Sequence, residues 1–138
     1  MNTKHIGNIG ESKIISEFLY HGIPVYLPFG DNEACDMIAD FDGKLQRIQV
    51  KTTSAIRNGK MSFSLGSRRY GVDHSYSDSE VDYFAMYCIE NDQSYIIKND
   101  PNSNNREITL RTEPARNGQV TGVRMAVDYK FENKFNAG

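Results

Sequence analysis

Three side chains in this sequence stand where chemistry on a phosphate would need them: Asp36, Gln49 and Lys51. In an extended strand, residues two apart share a face, so Gln49 and Lys51 project together. Asp36 lies thirteen residues before Gln49, and between them sits Asp42-Gly43, one of the better two-residue hairpin signals. Folding back at that turn brings an acid, an amide and a lysine to one end of a two-stranded ribbon. A hard cation takes oxygen ligands, which a carboxylate, an amide oxygen and a backbone carbonyl provide. Such a cation polarises phosphoryl oxygens and acidifies water, and a nearby lysine stabilises charge developing on the phosphorus or orients the attacking water. Taken alone, the same pattern also fits a solvated hairpin.

The elements that must position these groups follow from patterning. Asn8-Ile9-Gly10-Glu11 resembles a capping box. Ile14, Ile15, Phe18 and Leu19 follow at helical spacing and Gly22 fits a helix end, which predicts a helix over 9–21 with Glu11 in its first turn. Residues 23–29 are rich in β-formers but interrupted by Pro24 and Pro28, the mark of an edge strand. A strand from Asp36 leads through Asp42-Gly43 into a return strand over 45–53, with Arg47, Gln49 and Lys51 on one parity and Ile48 and Val50 on the other. Asn58-Gly59 signals a second hairpin joining 54–56 to 61–65. Residues 66–79 read as an ordered loop or short helix, 83–89 as a buried strand turning at Asn91-Asp92, 107–111 as a strand, Asn117-Gly118 as a turn, and the tail beyond Phe131 as frayed.

Composition bounds the rest. A length of 138 residues, 38% hydrophobic and 25% charged, fits a single globular domain over 1–138. The net charge of −2 is not that of a general nucleic-acid coat. Charge is divided, however: acids dominate 31–42 and 73–92, while Arg57, Lys60, Arg68 and Arg69, and then Arg106, Arg111, Arg116 and Arg124, form basic clusters. Cys35 and Cys88 have no zinc-ligand spacing and read as reduced thiols. His5, His21 and His74 stand apart in sequence and show no metal-ligand spacing, and covalent catalysis is not expected. Tyr20 and Tyr26 read as core or boundary residues. No apolar run has membrane-span length and no signal-peptide core is present, so a cytoplasmic protein is expected, with no membrane partner and no organic cofactor.

Gly7-x-x-x-Glu11, Asp36 and Gln49-Val50-Lys51 resemble the signature of the PD-(D/E)XK nuclease superfamily, which carries an acid on its first helix, an acid on a strand and an (E/D)-x-K tripeptide on the next. The run from Pro28-Phe29-Gly30-Asp31-Asn32 to Asp36, then Gln-Val-Lys-Thr, with Val81-Asp82-Tyr83-Phe84-Ala85 and Arg111-Thr112-Glu113-Pro114 downstream, is similar to a small branch of intron-encoded homing endonucleases. The resemblance implies an α/β (α+β) fold with a restriction-endonuclease-like core, a central mixed β-sheet flanked by helices. It implies Asp36 as principal metal ligand with help from the Val50 backbone carbonyl, Glu11 binding or orienting the metal or its water, and Lys51 as catalytic lysine. Gln49 departs from the superfamily, where an acid is usual; its amide offers an oxygen without charge, which lowers metal affinity. The implied cofactor is Mg2+ and the implied substrate double-stranded DNA.

The DNA-binding surface is expected on 54–76: Arg57, Asn58 and Lys60 on a ribbon that fits the major groove, then Ser67, Arg68, Arg69, Tyr70 and His74 as phosphate clamps and base contacts, with Tyr76 nearby. A chain this short needs copies of itself to cut both strands of a pseudo-palindromic site. A homo-oligomer follows, a dimer or a tetramer; the relatives imply a dimer of dimers contacting through C-terminal Tyr- and Ile-rich segments. Two alternatives remain open at this point: a Holliday-junction resolvase, which is ordinarily more basic, and a non-catalytic DNA-binding protein on the same fold.

Overall fold

The structure, a computed structural model, describes residues 2–30, 35–69, 72–75, 81–100, 102 and 106–135, with backbone alone for 66–69 and 72–75. The chain runs α1 (Thr3–Tyr20), β1 (Val25–Tyr26), β2 (Met37–Phe41), β3 (Lys44–Thr53), β4 (Lys60–Ser64), β5 (Gly66–Arg69), β6 (Val72–Ser75), β7 (Tyr83–Cys88), β8 (Gln93–Lys98), β9 (Glu107–Arg111), a 3-10 turn (Ala126–Tyr129) and α2 (Phe131–Phe135). Five strands form one sheet in the order β1-β2-β3-β7-β8. The β3–β7 pair is parallel and the others are antiparallel. The fold is the expected mixed α/β architecture. Its helices α1 and α2 cover one face, and the β4–β9 pair with the 3-10 turn covers the other.

Helix α1 begins earlier than the sequence pattern predicts. Asn2 is the cap, its side chain accepting from the His5 N–H at 2.8 Å, so Asn8 and Glu11 lie inside the helix and form no capping box. Glycines at 7 and 10 disfavour an early start, at about 1 kcal/mol each, but Gly10 has a packing reason. A Cβ there would lie 1.7 Å from Thr52 Oγ1, so only glycine lets α1 settle this closely on β3. Gly10, Ile14 and Phe18 form the buried stripe, four residues apart. The far end closes as expected at Gly22, with φ +74°: its N–H bonds to the Leu19 carbonyl at 3.0 Å and the Ile23 N–H to the Phe18 carbonyl at 2.9 Å, which makes a Schellman cap.

The Asp42-Gly43 hairpin is present, with φ of 55° and 79°, the turn whose twist matches paired strands. Ile48 and Val50 face the α1 core and Arg47, Gln49 and Lys51 the opposite side. Strand β7 is buried at every position because both faces of the sheet are covered. Tyr83, Ala85 and Tyr87 face the helices; Phe84, Met86 and Cys88 face Met61, Phe63, Ile108 and Leu110 of the β4–β9 layer. The parallel register is clamped at its start by Arg47 and Asp82. The guanidinium reaches both carboxylate oxygens at 3.0 and 2.9 Å, and the Arg47 N–H adds a third bond at 2.8 Å.

Other expectations change. Asn58-Gly59 does turn the chain, through a bridge between Arg57 and Lys60, but 54–56 form no strand; the partner of β4 is β9, whose Ile108 and Leu110 complete the second core. Residues 66–75 contain an antiparallel β5–β6 pair where a loop or helix was expected. The segment 131–135 is helical, not frayed: Phe131 is buried and its ring meets Phe18 edge-on at 4.8 Å, while Phe135 meets Phe41 at 5.0 Å. Tyr20 and Tyr26 are exposed at 85% and 54% and belong to no core. Cys88 is buried, Cys35 half-buried, and neither forms a disulfide.

Docking of α2 gives the first test. Phe131→Ala should lower stability by about 3–5 kcal/mol, the usual cost of deleting a buried aromatic ring, read from the urea midpoint. A loss below about 1 kcal/mol would mean the C-terminal helix does not pack as described.

Candidate active site

The site forms where the β2–β3 ladder ends. Asp36 immediately precedes β2, and its N–H still bonds to the Ile48 carbonyl at 2.8 Å. One step further the ladder gives way to a side chain. Asp36 Oδ2 accepts from the Val50 N–H at 2.7 Å and from Gln49 Nε2 at 2.9 Å. The carboxylate thus stands in for a strand carbonyl and is held against the Gln49-Val50-Lys51 tripeptide. Since the N–H and C=O of one residue point to the same edge of a strand, the Val50 carbonyl faces the same side. By parity Gln49 and Lys51 share the face away from α1, and the bond from Gln49 Nε2 holds the Asp36 carboxylate at the same strand end. Glu11 reaches Asp36 from the third turn of α1 and hydrogen-bonds to it.

The electrostatics are those of a site short of positive charge. The Glu11 carboxyl is raised above its ordinary value, first by burial and then by the Asp36 charge and the hydrogen bond to it. Asp36 is also raised, by burial, which outweighs the Val50 N–H, the Lys51 charge and the bond from Glu11. Lys51 is lowered by burial, with the Asp36 charge opposing that shift. The Asp36 charge opposes ionisation of Glu11, and a cation between the two carboxyls would relieve that repulsion.

The donor set fits a divalent cation. Gln49 Oε1 is buried without a hydrogen-bond partner, because the amide nitrogen is committed to Asp36. A buried orphan acceptor costs about 1–3 kcal/mol, and an ion at that oxygen would satisfy it. No group of three His, Cys, Asp or Glu side chains occurs among the described residues. A cation here would rest on Asp36 and Glu11 with neutral oxygens from Gln49 and Val50. Glu11 and Asp36 also open into a cleft of about 480 Å³, lined on the α1 side by Asn8, Ser12 and Ile15 and opposite by Leu27, Pro28 and Gly30 among others.

All five site positions expected from sequence, Glu11, Asp36, Gln49, Val50 and Lys51, come together. Asn8 and Ser12 were missed as cleft residues. They lie three before and one after Glu11, on one helix face once α1 starts at Thr3. Of the expected DNA contacts, Asn58 and Lys60 line a separate groove with Arg111, Arg116 and Arg124, and Arg57 lies exposed beside it. Residues 67–69 and 74 are placed by backbone in β5 and β6; the side chains of Ser67, Arg68, Arg69 and His74, and all of Tyr70 and Tyr76, lie outside the described residues.

Comparison with known proteins bears on the family and the fold. The model of a family described as PD-(D/E)XK endonuclease matches residues 1–132. Among solved structures, the fold is similar to that of a bacterial homing endonuclease, I-Ssp6803I, with a TM-score of 0.75 and 24% identity over 94% of this chain and 89% of that one. No curated protein matches in sequence.

The raised carboxyls predict a pH effect. The folded chain binds more protons than the unfolded one between the ordinary carboxylate range and the raised values, so this part of stability is present at low pH and lost as pH rises through those values. Without divalent cation, Glu11→Gln should therefore melt higher than wild type near about pH 8, and the difference should vanish near about pH 4. Equal melting temperatures at both would show that the two carboxyls do not strain the site.

Proposed function

The chain belongs to the PD-(D/E)XK endonuclease family, and from that premise we propose that it is a sequence-specific, Mg2+-dependent double-strand DNA endonuclease of the homing type, acting as a homo-oligomer. The observation that carries the reading is the Asp36 carboxylate bonded to both Gln49 and Val50, with Glu11 against it and Lys51 within its field. The homing assignment leans on the likeness to I-Ssp6803I, named a bacterial homing endonuclease.

The residues divide the work. Asp36 and Glu11 would hold the cation through carboxylate oxygens, Gln49 through its orphan Oε1 and Val50 through its carbonyl. When bound, Mg2+ supplies polarisation of phosphoryl oxygens and acidification of water. The Lys51 ammonium, half-buried on the same face as Gln49, stabilises the charge that accumulates on the non-bridging oxygens as water attacks phosphorus. Glu11 keeps its carboxyl beside Asp36 and is placed to orient that water. Burial excludes competing solvent and strengthens each of these charges.

Oligomerisation is argued from stoichiometry. Among the described residues of the chain one such constellation is present, whereas a duplex has two strands of opposite polarity. Two copies related by a two-fold axis present one site to each strand. The cytoplasm, where DNA and free Mg2+ are both at hand, is the compartment proposed.

Asp36→Ala and Lys51→Ala should each reduce Mg2+-dependent cutting of duplex DNA by roughly 100–1,000-fold, while duplex binding is retained. A randomised duplex library, incubated with protein and Mg2+ and sequenced at its cleaved ends, supplies the substrate. Cutting that survives both substitutions would place the active site elsewhere. Preference for a synthetic four-way junction over linear duplex would favour a resolvase.

A further inference from the structure

A second concave surface, of about 550 Å³, lies on the β4–β9 side of the molecule. Lys60, Arg111, Arg116 and Arg124 line it together with neutral residues such as Asn58 and Gln119, and no Asp or Glu lines it. On a chain of net charge −2, four cations without an acid are a pronounced local excess. None of the four is neutralised by a described carboxylate. Arg111 donates instead to main-chain carbonyls, from Nε to Glu113 at 2.9 Å and from Nη2 to Pro114 at 3.4 Å, so its guanidinium is held in place with its charge intact.

The strand register makes this excess costly. Lys60 and Arg111 are direct cross-strand partners. The Lys60 main chain bonds to Arg57, and the Arg111 N–H bonds to the Arg124 carbonyl at 2.9 Å. Neither bonds to the other, so they form a non-hydrogen-bonded pair, the arrangement in which opposing side chains come closest. Like charges there are destabilising, and the chain adds Arg124 and Arg116 to them. An anion on that surface would relieve the repulsion among these cations.

We propose that this groove binds the sugar-phosphate backbone of duplex DNA, on phosphates flanking the one that is cut. The inference rests on the nuclease reading above and extends the expected 54–76 surface, from which Asn58 and Lys60 come, to Arg111, Arg116 and Arg124. Lys, Arg, Asn and Gln are the side chains that hold phosphate oxygens and fix register without reading bases. Reach agrees: Lys60 lies nine positions after Lys51, so its Cα is at most about 32 Å from that of the catalytic lysine, within one turn of B-DNA at about 34 Å.

The test uses a labelled, mixed-sequence 30-bp duplex, with Ca2+ in place of Mg2+, titrated between 50 and 200 mM salt and read by fluorescence anisotropy. Lys60→Gln, Arg116→Gln and Arg124→Gln are combined; Arg111 is kept because it fastens the 113–114 backbone. The slope of log K against log salt should shrink by about 0.9 for each phosphate no longer neutralised, about 2.7 for three. The matching triple Arg/Lys exchange, Lys60→Arg with Arg116→Lys and Arg124→Lys, should keep the wild-type slope, which a merely structural defect would not. A Gln variant that is folded by circular dichroism and keeps the wild-type slope overturns the groove and leaves the nuclease reading standing. Wild-type protein that neither binds nor cuts any duplex overturns that reading instead. A weakening confined to a single-stranded 30-mer overturns the duplex assignment.

Discussion

A strand ladder that stops one residue early is the constraint around which this molecule is arranged. Beyond the Met37–Ile48 pair, the Val50 N–H finds its acceptor in the Asp36 side chain and not in a main-chain carbonyl. That substitution satisfies a backbone donor, as any sheet must. It also fixes a carboxylate beside a tripeptide that carries an amide and a lysine. Position is therefore set by the same hydrogen bond that ends the strand pair, and no separate loop is needed to aim the acid. The cost is electrostatic: burial raises the Asp36 carboxyl in spite of the Val50 N–H, the Lys51 charge and the bond from Glu11, and a cation at the site would relieve that cost.

Two contacts outside the site keep that arrangement in register. Gly10 lets α1 approach Thr52 at a distance no side chain would allow, and Glu11 is the next residue. An extra methyl at position 10 would push the helix off β3 and Glu11 away from Asp36. On the other flank, the fork of Arg47 on Asp82 pins β3 to β7 just before the parallel ladder begins at Ile48 and Tyr83. Paired, the Asp82 carboxyl falls below its ordinary value, mainly through the bond from Arg47. Bidentate geometry of this kind fixes register more than it adds energy. Neither contact touches a substrate, yet a slip at either would separate the carboxylates from Lys51.

The local features were the legible ones. Asp42-Gly43 and the parity of Gln49 and Lys51 are encoded within a dozen residues, and they suffice to bring Asp36 alongside. Gly22 ends α1 by a mechanism that only its own backbone needs. What could not be read was decided by distant partners. The start of α1 was obscured because Gly10 looks like a helix breaker until Thr52, forty-two residues on, is known to lie against it. Likewise Met61 and Phe63 alternate as a strand should, but their partner is β9 and not the neighbouring 54–56. Pairing across more than forty residues leaves no trace in local pattern. The same blindness hid the basic groove: Lys60 and Arg111 appear as members of two separate clusters until β4 and β9 set them opposite each other.

Gln49 is where the chain departs from the acid usual in its family's tripeptide, and the geometry accounts for how an amide serves there. Its nitrogen lies 2.9 Å from Asp36 Oδ2. A carboxylate at the same position would place a third negative charge at hydrogen-bond distance from one already raised by burial, and like charges that close do not both ionise. The amide turns that repulsion into a bond, and in doing so orients itself: with Nε2 on Asp36, Oε1 must face away, buried and without a partner. The exchange trades one unit of charge for a preset acceptor. It lowers the attraction for a cation, since ligand charge is a main determinant of affinity, and it lowers the strain of holding the site without one. A site with two carboxylates and two neutral oxygens would therefore hold a cation less tightly than one with three carboxylates, and would strain the fold less without one.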